Sequence, residues 1–392
     1  MKRLAFSQAI GLLLVFAASR ARADIYQWEY IDPADPSQGK QQSTTLAPDG
    51  AGVDAVPGAQ LSGRNLTMAY LIGADLSNAS FSTTTLTDAD FTSAEIYGAN
   101  FGAGFCISGL GCFRPGTGIT PAQLYSTASY QARNLIGISL YLNNLAGGNF
   151  AGQNLTDAIF VGATLTDADF RGANLTNARF ATVVCHLLTY PFCFPLYHAT
   201  LTNADLAGAD ARGALYLDTF DARTANFIWT DGQIAGLDLG AGELLVVRDY
   251  DGNPNGCDNN GCPVPPIPIT VDQYLSMAAG GTLRMVFEAD DWDSTISFAP
   301  GIPVTLGGTL ELTFAADVDI ASQLGRTFDL FDWTGVHPTG AFAVSSPYRW
   351  DTSNLYTTGE VTLTAVPEPC TLWTTILGLI ALLAGRTILP RR

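Results

Sequence analysis

The chain has 392 residues, of which 36 are acidic and 19 basic, and its formal net charge is −17. Seven basic residues lie in the first 23 and last 23 positions, so residues 24–369 keep 12 basic side chains against all 36 acidic ones, a net charge of −24. Such a surface repels nucleic acid and anionic lipid, and it suits solubility, divalent cations, or contact with neutral or basic polymers.

The first 23 residues have the pattern of a secretory signal peptide. Lys2 and Arg3 precede an apolar run, and Ala21-Arg22-Ala23 supplies the small residues that a signal peptidase reads. We therefore predict export, with cleavage between Ala23 and Asp24. A retained membrane anchor is the alternative, and the apolar run is short for a membrane span.

A five-residue period runs through residues 56–230. Neither a helix nor a flat strand keeps one face apolar at this spacing, whereas a coil that turns a corner every five residues does. Alanine often stands two positions before the large residue, where a bigger side chain would clash inside the corner. The large residues of the series are Leu61, Leu66, Leu71, Leu76, Phe81, Leu86, Phe91, Ile96 and Phe101, and then Tyr130, Leu135, Leu140, Leu145, Phe150, Leu155, Phe160, Leu165, Phe170, Leu175 and Phe180.

The repeats Ala74–Asn78, Ala173–Asn177 and Ala204–Gly208 resemble the A(D/N)LXX unit of the pentapeptide repeat family. The resemblance implies a right-handed quadrilateral β-helix with four repeats per coil. The phase breaks at 102–129 and at 181–198, which we interpret as loop insertions. The family includes cytoplasmic gyrase-binding members whose acidic rods mimic DNA, but the predicted export argues against that function here.

The segments beside the repeats predict two further units. Residues 24–55 begin with an alternating strand pattern and are predicted to cap the open end of the solenoid. Residues 231–365 contain short β-type runs separated by Gly, Pro and Asp turns, which favours either a β-sandwich or a second β-solenoid.

Residues 366–392 resemble the PEP-CTERM sorting signal. Pro367-Glu368-Pro369 precedes an apolar run predicted to form a transmembrane helix, and Arg386, Arg391 and Arg392 supply a basic tail. The resemblance implies membrane anchoring through the C-terminus, processing by an exosortase-type enzyme, and delivery to the cell surface or extracellular matrix. A plain tail anchor is the alternative.

Six of the seven cysteines form three local pairs. These are Cys106 with Cys112, Cys185 with Cys193, and Cys257 with Cys262. In an exported protein such pairs predict short-range disulfides that staple insertions. Metal binding is the rival interpretation for the second pair, because His186 and His198 lie nearby.

Half of a calcium-loop pattern occurs between the repeats and the C-terminal strands. Asp251, Asn253, Asn255 and Asp258 place oxygen atoms near a sharp glycine turn, which makes them candidate calcium ligands. Cys262 stands where the closing glutamate would be, so an ordinary stapled turn fits as well. No other cofactor is expected.

The sequence contains three histidines and no nucleophile elbow, zinc-protease signature or phosphate loop. We therefore predict a non-enzymatic, exported bacterial surface or matrix protein that serves as a scaffold or spacer. The alternative is a carbohydrate-binding or carbohydrate-degrading surface protein. Expected partners are the processing enzyme, the membrane before processing, and extracellular polysaccharide or other surface proteins, but no nucleic acid.

Overall fold

The computed structural model describes residues 24–107, 111–185, 193–250, 266–288, 292–316 and 318–366. Among these residues, none forms a helix of the length and apolarity that a membrane crossing requires. The predicted C-terminal span and the predicted signal peptide lie outside the described residues.

An N-terminal hairpin comes first and docks on the repeats. Strand β1 (Tyr26–Tyr30) pairs antiparallel with β2 (Lys40–Leu46), and a 3₁₀ turn at Pro36–Gln38 lies between them. The Trp28 amide donates to the Met68 carbonyl, and the Tyr70 amide donates to the Tyr26 carbonyl. β1 therefore adds an antiparallel edge to one side of the repeat coil.

The repeats form a four-sided coil that closes every 20 residues. Gln60 pairs in parallel with Ser80, and Ser80 with Asn100, while the other three sides start from Asn65, Tyr70 and Asp75 and pair at the same interval. Most of the large residues donate their backbone amide to a carbonyl of the next coil, as the Leu61 amide does to the Ser80 carbonyl at 2.8 Å. The predicted quadrilateral β-helix is confirmed.

The interior of this coil is a ladder of the predicted large residues. From Leu61 to Phe180 nearly all are buried, with Tyr130 only partly so. Phe160 contacts three neighbours: its ring meets Phe150 and Phe170 edge-on and stacks on Phe180 at 5.3 Å between centroids. Stacked coils thus share one continuous apolar column, which a single coil could not bury alone.

The region 102–129 contains a hairpin that leaves the coil, followed by a helical segment that packs back on the column of large residues. A hairpin of β3 (Phe105–Ile107) and β4 (Gly111–Phe113) projects first. The helices α1 (Pro121–Tyr125) and α2 (Ala128–Gln131) then follow, and buried Ile119 and Leu124 pack on the column. Thr120 caps α1 through a capping box with Gln123, and Pro121 follows at the first helical position, as the sequence favours.

A second hairpin lies in the region 181–198. It consists of β5 (Thr182–Cys185) and β6 (Cys193–Leu196), which pair antiparallel. The coil resumes directly afterwards, where the Thr200 amide donates to the Ala163 carbonyl.

The C-terminal part is a second, three-sided solenoid. Its strands are β7 (Gln233–Ile234), β8 (Leu237–Leu239), β9 (Leu244–Arg248), β10 (Ile269–Val271), β11 (Leu275–Met277), β12 (Thr282–Phe287), β13 (Ile296–Phe298), β14 (Val304–Leu306), β15 (Thr309–Phe314), β16 (Thr327–Asp329), β17 (Phe331–Asp332), β18 (Thr339–Gly340), β19 (Ala343–Ser345), β20 (Arg349–Asp351) and β21 (Glu360–Ala365), with a 3₁₀ turn at Ile320–Gln323. Three parallel four-stranded sheets form its sides, with the strand orders β17-β13-β10-β7, β18-β14-β11-β8 and β19-β15-β12-β9. An antiparallel sheet, β16-β21-β20, lies at its end.

Of the two predicted alternatives for this part, the solenoid is correct and the sandwich is wrong. A sandwich needs antiparallel sheets, whereas the three sides here are parallel throughout. The strands alternate buried and partly exposed residues, as in the pattern of β15, so each side buries one face in a common core.

A buried ion pair joins the two solenoids. Arg212 is fully buried and binds Asp210 through Nη2 at 2.7 Å. Its remaining donors reach the C-terminal solenoid, at Ser294 Oγ (2.9 Å) and at the carbonyls of Arg248 (3.0 Å) and Ile267 (3.3 Å). Because one guanidinium satisfies acceptors on both sides, it fixes the last repeat coils to the solenoid that follows.

Candidate functional site

The feature of the surface that differs most from the rest is a cavity of about 510 Å³ lined by five arginines. We call it the arginine groove. It runs from the repeat coils to strands β9 and β12, and small residues form its floor. The five arginines are Arg133, Arg171, Arg223, Arg248 and Arg284, and the acidic residues that line the groove are Asp205 and Glu243.

The floor is built from stacked corners of successive coils. Gly152, Gly172 and Gly208 each occupy the left-handed region, with φ of +64°, +62° and +67°. Each is the second residue after a large inward residue, where the chain turns, and glycine adopts this conformation without strain. Because these corners carry no side chains, a guanidinium can lie close over them: Arg133 Nη1 is 3.2 Å from where a Cβ of Gly152 would be.

The opposite wall is supplied by the C-terminal solenoid. Arg284 lies on β12 beside Val246 of β9, and Arg248 ends β9. The two solenoids approach closely here, since a Cβ added to Gly208 would lie 2.9 Å from the Leu244 carbonyl oxygen. The groove is therefore a consequence of joining the two units.

Three of the five arginines are paired with carboxylates. Arg171 binds Asp169 through Nε at 2.9 Å and Nη2 at 2.6 Å, and these hydrogen bonds raise the pKa of Arg171 and lower the pKa of Asp169. Arg284 lies 2.8 Å from Glu311.

The third pair is looser and exposed to water. Arg223 lies 3.8 Å from Asp205, and its side chain is 78% exposed. An ion pair with this exposure holds its arginine weakly, so that Arg223 is free to turn toward another anion.

The other two arginines, Arg133 and Arg248, make no hydrogen bond or ion pair through their guanidinium groups within the described parts of the chain. Arg133 is exposed and itself has a φ of +58°. Burial lowers the pKa of the Arg248 guanidinium, and Glu288 acts in the opposite direction. Arginine stays charged in proteins, so Arg248 presents a partly desolvated cation to the groove.

The charge of the groove is opposite to that of the surrounding protein. Five of the 12 basic residues in 24–369 line this one cavity, together with only two of the 36 acidic ones. A concentration of positive charge inside an acidic molecule focuses anions at one place. The arrangement can therefore bind an anion, and its donor set is suited to carboxylates.

The predicted site residues fall mostly elsewhere. The sorting motif Pro367-Glu368-Pro369, the candidate calcium ligands Asp251, Asn253, Asn255 and Asp258, and the cysteines Cys257 and Cys262 lie outside the described residues, as does Ala23. Asp24 is described, and its Oδ1 accepts a hydrogen bond from the Gly52 amide at 2.7 Å. Within the described ranges no group of His, Cys, Asp and Glu is arranged to hold a metal ion.

The first two cysteine pairs occupy the two projecting hairpins. Cys106 lies directly across from Cys112 in the β3–β4 ladder, and Cys185 lies across from Cys193 in the β5–β6 ladder. Cys112 is in a disulfide bond.

Sequence reasoning missed the arginine groove because its arginines are spread from Arg133 to Arg284. A signal was nevertheless present in the repeats. Arg133 interrupts the small-residue positions of the corner, and Arg171 stands where the neighbouring repeats carry Thr166 and Thr176.

Comparison with known proteins supports the repeat assignment. Residues 58–102 and 144–180 match the model of the family described as pentapeptide repeats, with eight copies. No curated protein sequence matches this chain.

Two solved structures are among those that match this chain. One is HetL from the cyanobacterium Nostoc sp. strain PCC 7120, a pentapeptide repeat protein involved in heterocyst differentiation regulation, at 14% identity over 73% of this chain and 89% of that chain, with a TM-score of 0.15. The other is QnrB1, a plasmid-mediated fluoroquinolone resistance protein, at 16% identity over 73% of this chain and 90% of that chain, with a TM-score of 0.11. At such TM-scores neither likeness bears on the function of this chain.

Proposed function

We propose that this chain is a non-enzymatic scaffold of the bacterial cell surface or extracellular matrix, exported through its N-terminal signal and sorted through its C-terminal tail by an exosortase-type enzyme. The pentapeptide repeats provide the rigid part of the scaffold. The two cysteine hairpins suit an oxidising compartment, where short disulfides persist.

The observation that carries the scaffold proposal is the continuity of the two solenoids. Parallel bridges pass from Asp205 to Arg223 and from Asp210 to Ile228, and the next turn of chain enters β7. Together with the Arg212 ion pair, this stacking joins the repeats and the C-terminal solenoid into one body. A rod that holds its ends at a fixed separation is what a spacer requires.

The intact mass of the native protein from fractionated source cells tests the sorting proposal. We expect a product that starts at Asp24 and ends near Pro367-Glu368-Pro369, recovered from surface or matrix fractions. A full-length C-terminus in the membrane fraction would instead identify a plain anchored protein and overturn the exosortase route.

Binding of carbohydrate is a second candidate function, and the arginine groove favours it. The groove offers cationic donors above glycine corners that carry no side chains, beside the two acidic acceptors Asp205 and Glu243. Sugars that carry both acidic groups and hydroxyls find partners for each of these groups.

A further inference from the structure

The arginine groove contains two guanidinium groups, those of Arg133 and Arg248, that make no hydrogen bond or ion pair within the described residues. Arg133 lies over Gly152, and Arg248 is held at the end of β9 where burial disfavours its charged form. A partly buried cation such as Arg248 lowers stability unless an anion compensates it, whereas Arg133 is exposed and can turn toward an anion in the groove. Both side chains line the same cavity from different walls, which allows a single anionic ligand to contact both.

We propose that the arginine groove binds a linear carboxylated polysaccharide, with uronate carboxylates paired to Arg133 and Arg248. This deepens the carbohydrate-binding candidate, on which it rests, and it is independent of the sorting route. Guanidinium and carboxylate match in a planar, bidentate geometry, which gives the strongest of the ordinary charged hydrogen bonds.

The dimensions of the groove fit a few sugar rings of a longer polymer. Its volume of about 510 Å³ lies within the range of pockets that hold compact organic ligands. The floor repeats with each coil, at about 4.8 Å per layer, so that equivalent glycine corners recur along the direction of the polymer. Charges on alternate or successive rings can therefore meet arginines from several coils.

The same lining argues against nucleic acid as the occupant. None of the described residues that line the groove is aromatic, so no ring is available for stacking of bases. A nucleic acid strand would also extend over a surface of strongly negative net charge. A uronan carries one charge per ring, and its hydroxyls can donate to Asp205 and Glu243, where phosphates would be repelled.

Titration calorimetry of the full-length chain with tetragalacturonate tests the proposal. We expect saturable binding at low ionic strength that weakens as salt is added, because exposed charges are screened. The methyl ester of the same tetramer keeps the rings and removes the charges, so we expect at least a tenfold loss of affinity.

Variants locate the binding on the protein. Arg133→Gln and Arg248→Gln should each weaken binding about tenfold, the usual size of one lost charged hydrogen bond. Arg349→Gln, an exposed arginine on β20 outside the groove, removes the same charge and should leave affinity within about twofold. Ala225→Trp is charge-neutral and exposed on the groove, and it should abolish binding by obstruction.

Three outcomes would overturn the proposal. They are absence of tetragalacturonate binding at millimolar concentration, equal binding by monogalacturonate or inorganic phosphate, and tighter binding of an oligonucleotide of matched charge. Far-UV circular dichroism of each variant ensures that a lost signal reflects the groove rather than misfolding. Since the titration uses purified protein, its failure is distinct from a failure of the sorting proposal, which the intact mass decides.

Discussion

Each coil turns its corners at one kind of position, the second residue after the large inward side chain. Gly63, Gly73 and Gly98 occupy it with positive φ, and so do Asn78 and Asp88. Gly, Asn and Asp tolerate the left-handed region. Ser93 and Leu142, whose residue types disfavour it, adopt it too, with φ of +58° each. For an ordinary L residue this conformation costs roughly 1–3 kcal/mol.

A reciprocal exchange at one corner measures this cost. Gly73 and Ser93 are stacked in consecutive coils, are both exposed, and have φ of +67° and +58°. Ser93→Gly should stabilise the protein by about 1 kcal/mol and Gly73→Ser should destabilise it by about 1 kcal/mol, because only glycine is unstrained there. Urea unfolding of both variants checks the signs, and effects of the same sign would contradict the argument.

How far the sequence predicts a residue's position depends on whether its side chain enters the core. The inward Leu and Phe and the small Ala are recognised from the period alone, since packing leaves few alternatives there. The corner position is set by backbone conformation, and Leu142 or Ser93 gives no sign of it in the sequence. The arginine groove was missed for a related reason, because contacts between distant residues determine it and no local pattern encodes them.

Among the elements, the N-terminal hairpin is held by the only described lysine. Lys40 Nζ binds Asp90 Oδ2 at 2.7 Å and lies 3.6 Å from the centroid of the Trp28 ring. The Trp28 indole donates to the Asp88 carbonyl at 2.6 Å. Burial opposes ionisation of Asp90, but hydrogen bonds from Lys40 and Thr92 outweigh it and hold its pKa below the ordinary value.

This hairpin should therefore loosen in acid. A carboxylate with a depressed folded-state pKa adds stability above its unfolded pKa, about 4, and that contribution is lost as the pH falls through the folded value. At pH 7 we expect Asp90→Asn to cost about 1–2 kcal/mol, the range for a charged hydrogen bond that is partly buried. The same variant should cost much less at pH 2.5.

Urea unfolding at both pH values gives the comparison. Asp75→Asn is the matched control, because Asp75 has an outward-facing carboxylate that bonds to Ser77 in its own turn and to no lysine. An unchanged cost of Asp90→Asn at low pH would show that the Lys40–Asp90 pair does not anchor the hairpin.

The C-terminal solenoid shows why the pairing and stacking of strands are harder to predict from sequence than the presence of the strands. The sequence predicts β-type runs at Leu283–Phe287, Thr295–Phe298 and Thr309–Phe314. The structure has strands at Thr282–Phe287, Ile296–Phe298 and Thr309–Phe314. Successive coils differ in length because long connections separate them, so no constant period distinguishes parallel stacking from a sandwich. Only the register, such as Leu283 beside Leu310, resolves the topology.

At the scale of the whole molecule, solenoids are stabilised mainly between neighbouring coils, so coupling along the rod depends on each interface. The junction is unusual because its interface depends on charge: Arg212 is fully buried and pairs with the almost fully buried Asp210. Removing one partner of a buried pair leaves the other charge uncompensated, which typically costs about 3–5 kcal/mol.

Arg212→Met should therefore lower stability by about 3–5 kcal/mol and separate the unfolding of the two solenoids. We expect one calorimetric transition in the native protein and two in this variant, since Ser294 and the Arg248 carbonyl lose their shared donor. Asp210→Leu combined with Arg212→Met removes both charges and should restore part of the loss.

Arg223→Met serves as the control, because its loose pair with Asp205 is exposed and should contribute less than about 1 kcal/mol. A single transition in Arg212→Met, at the native temperature, would mean that apolar stacking alone joins the two solenoids.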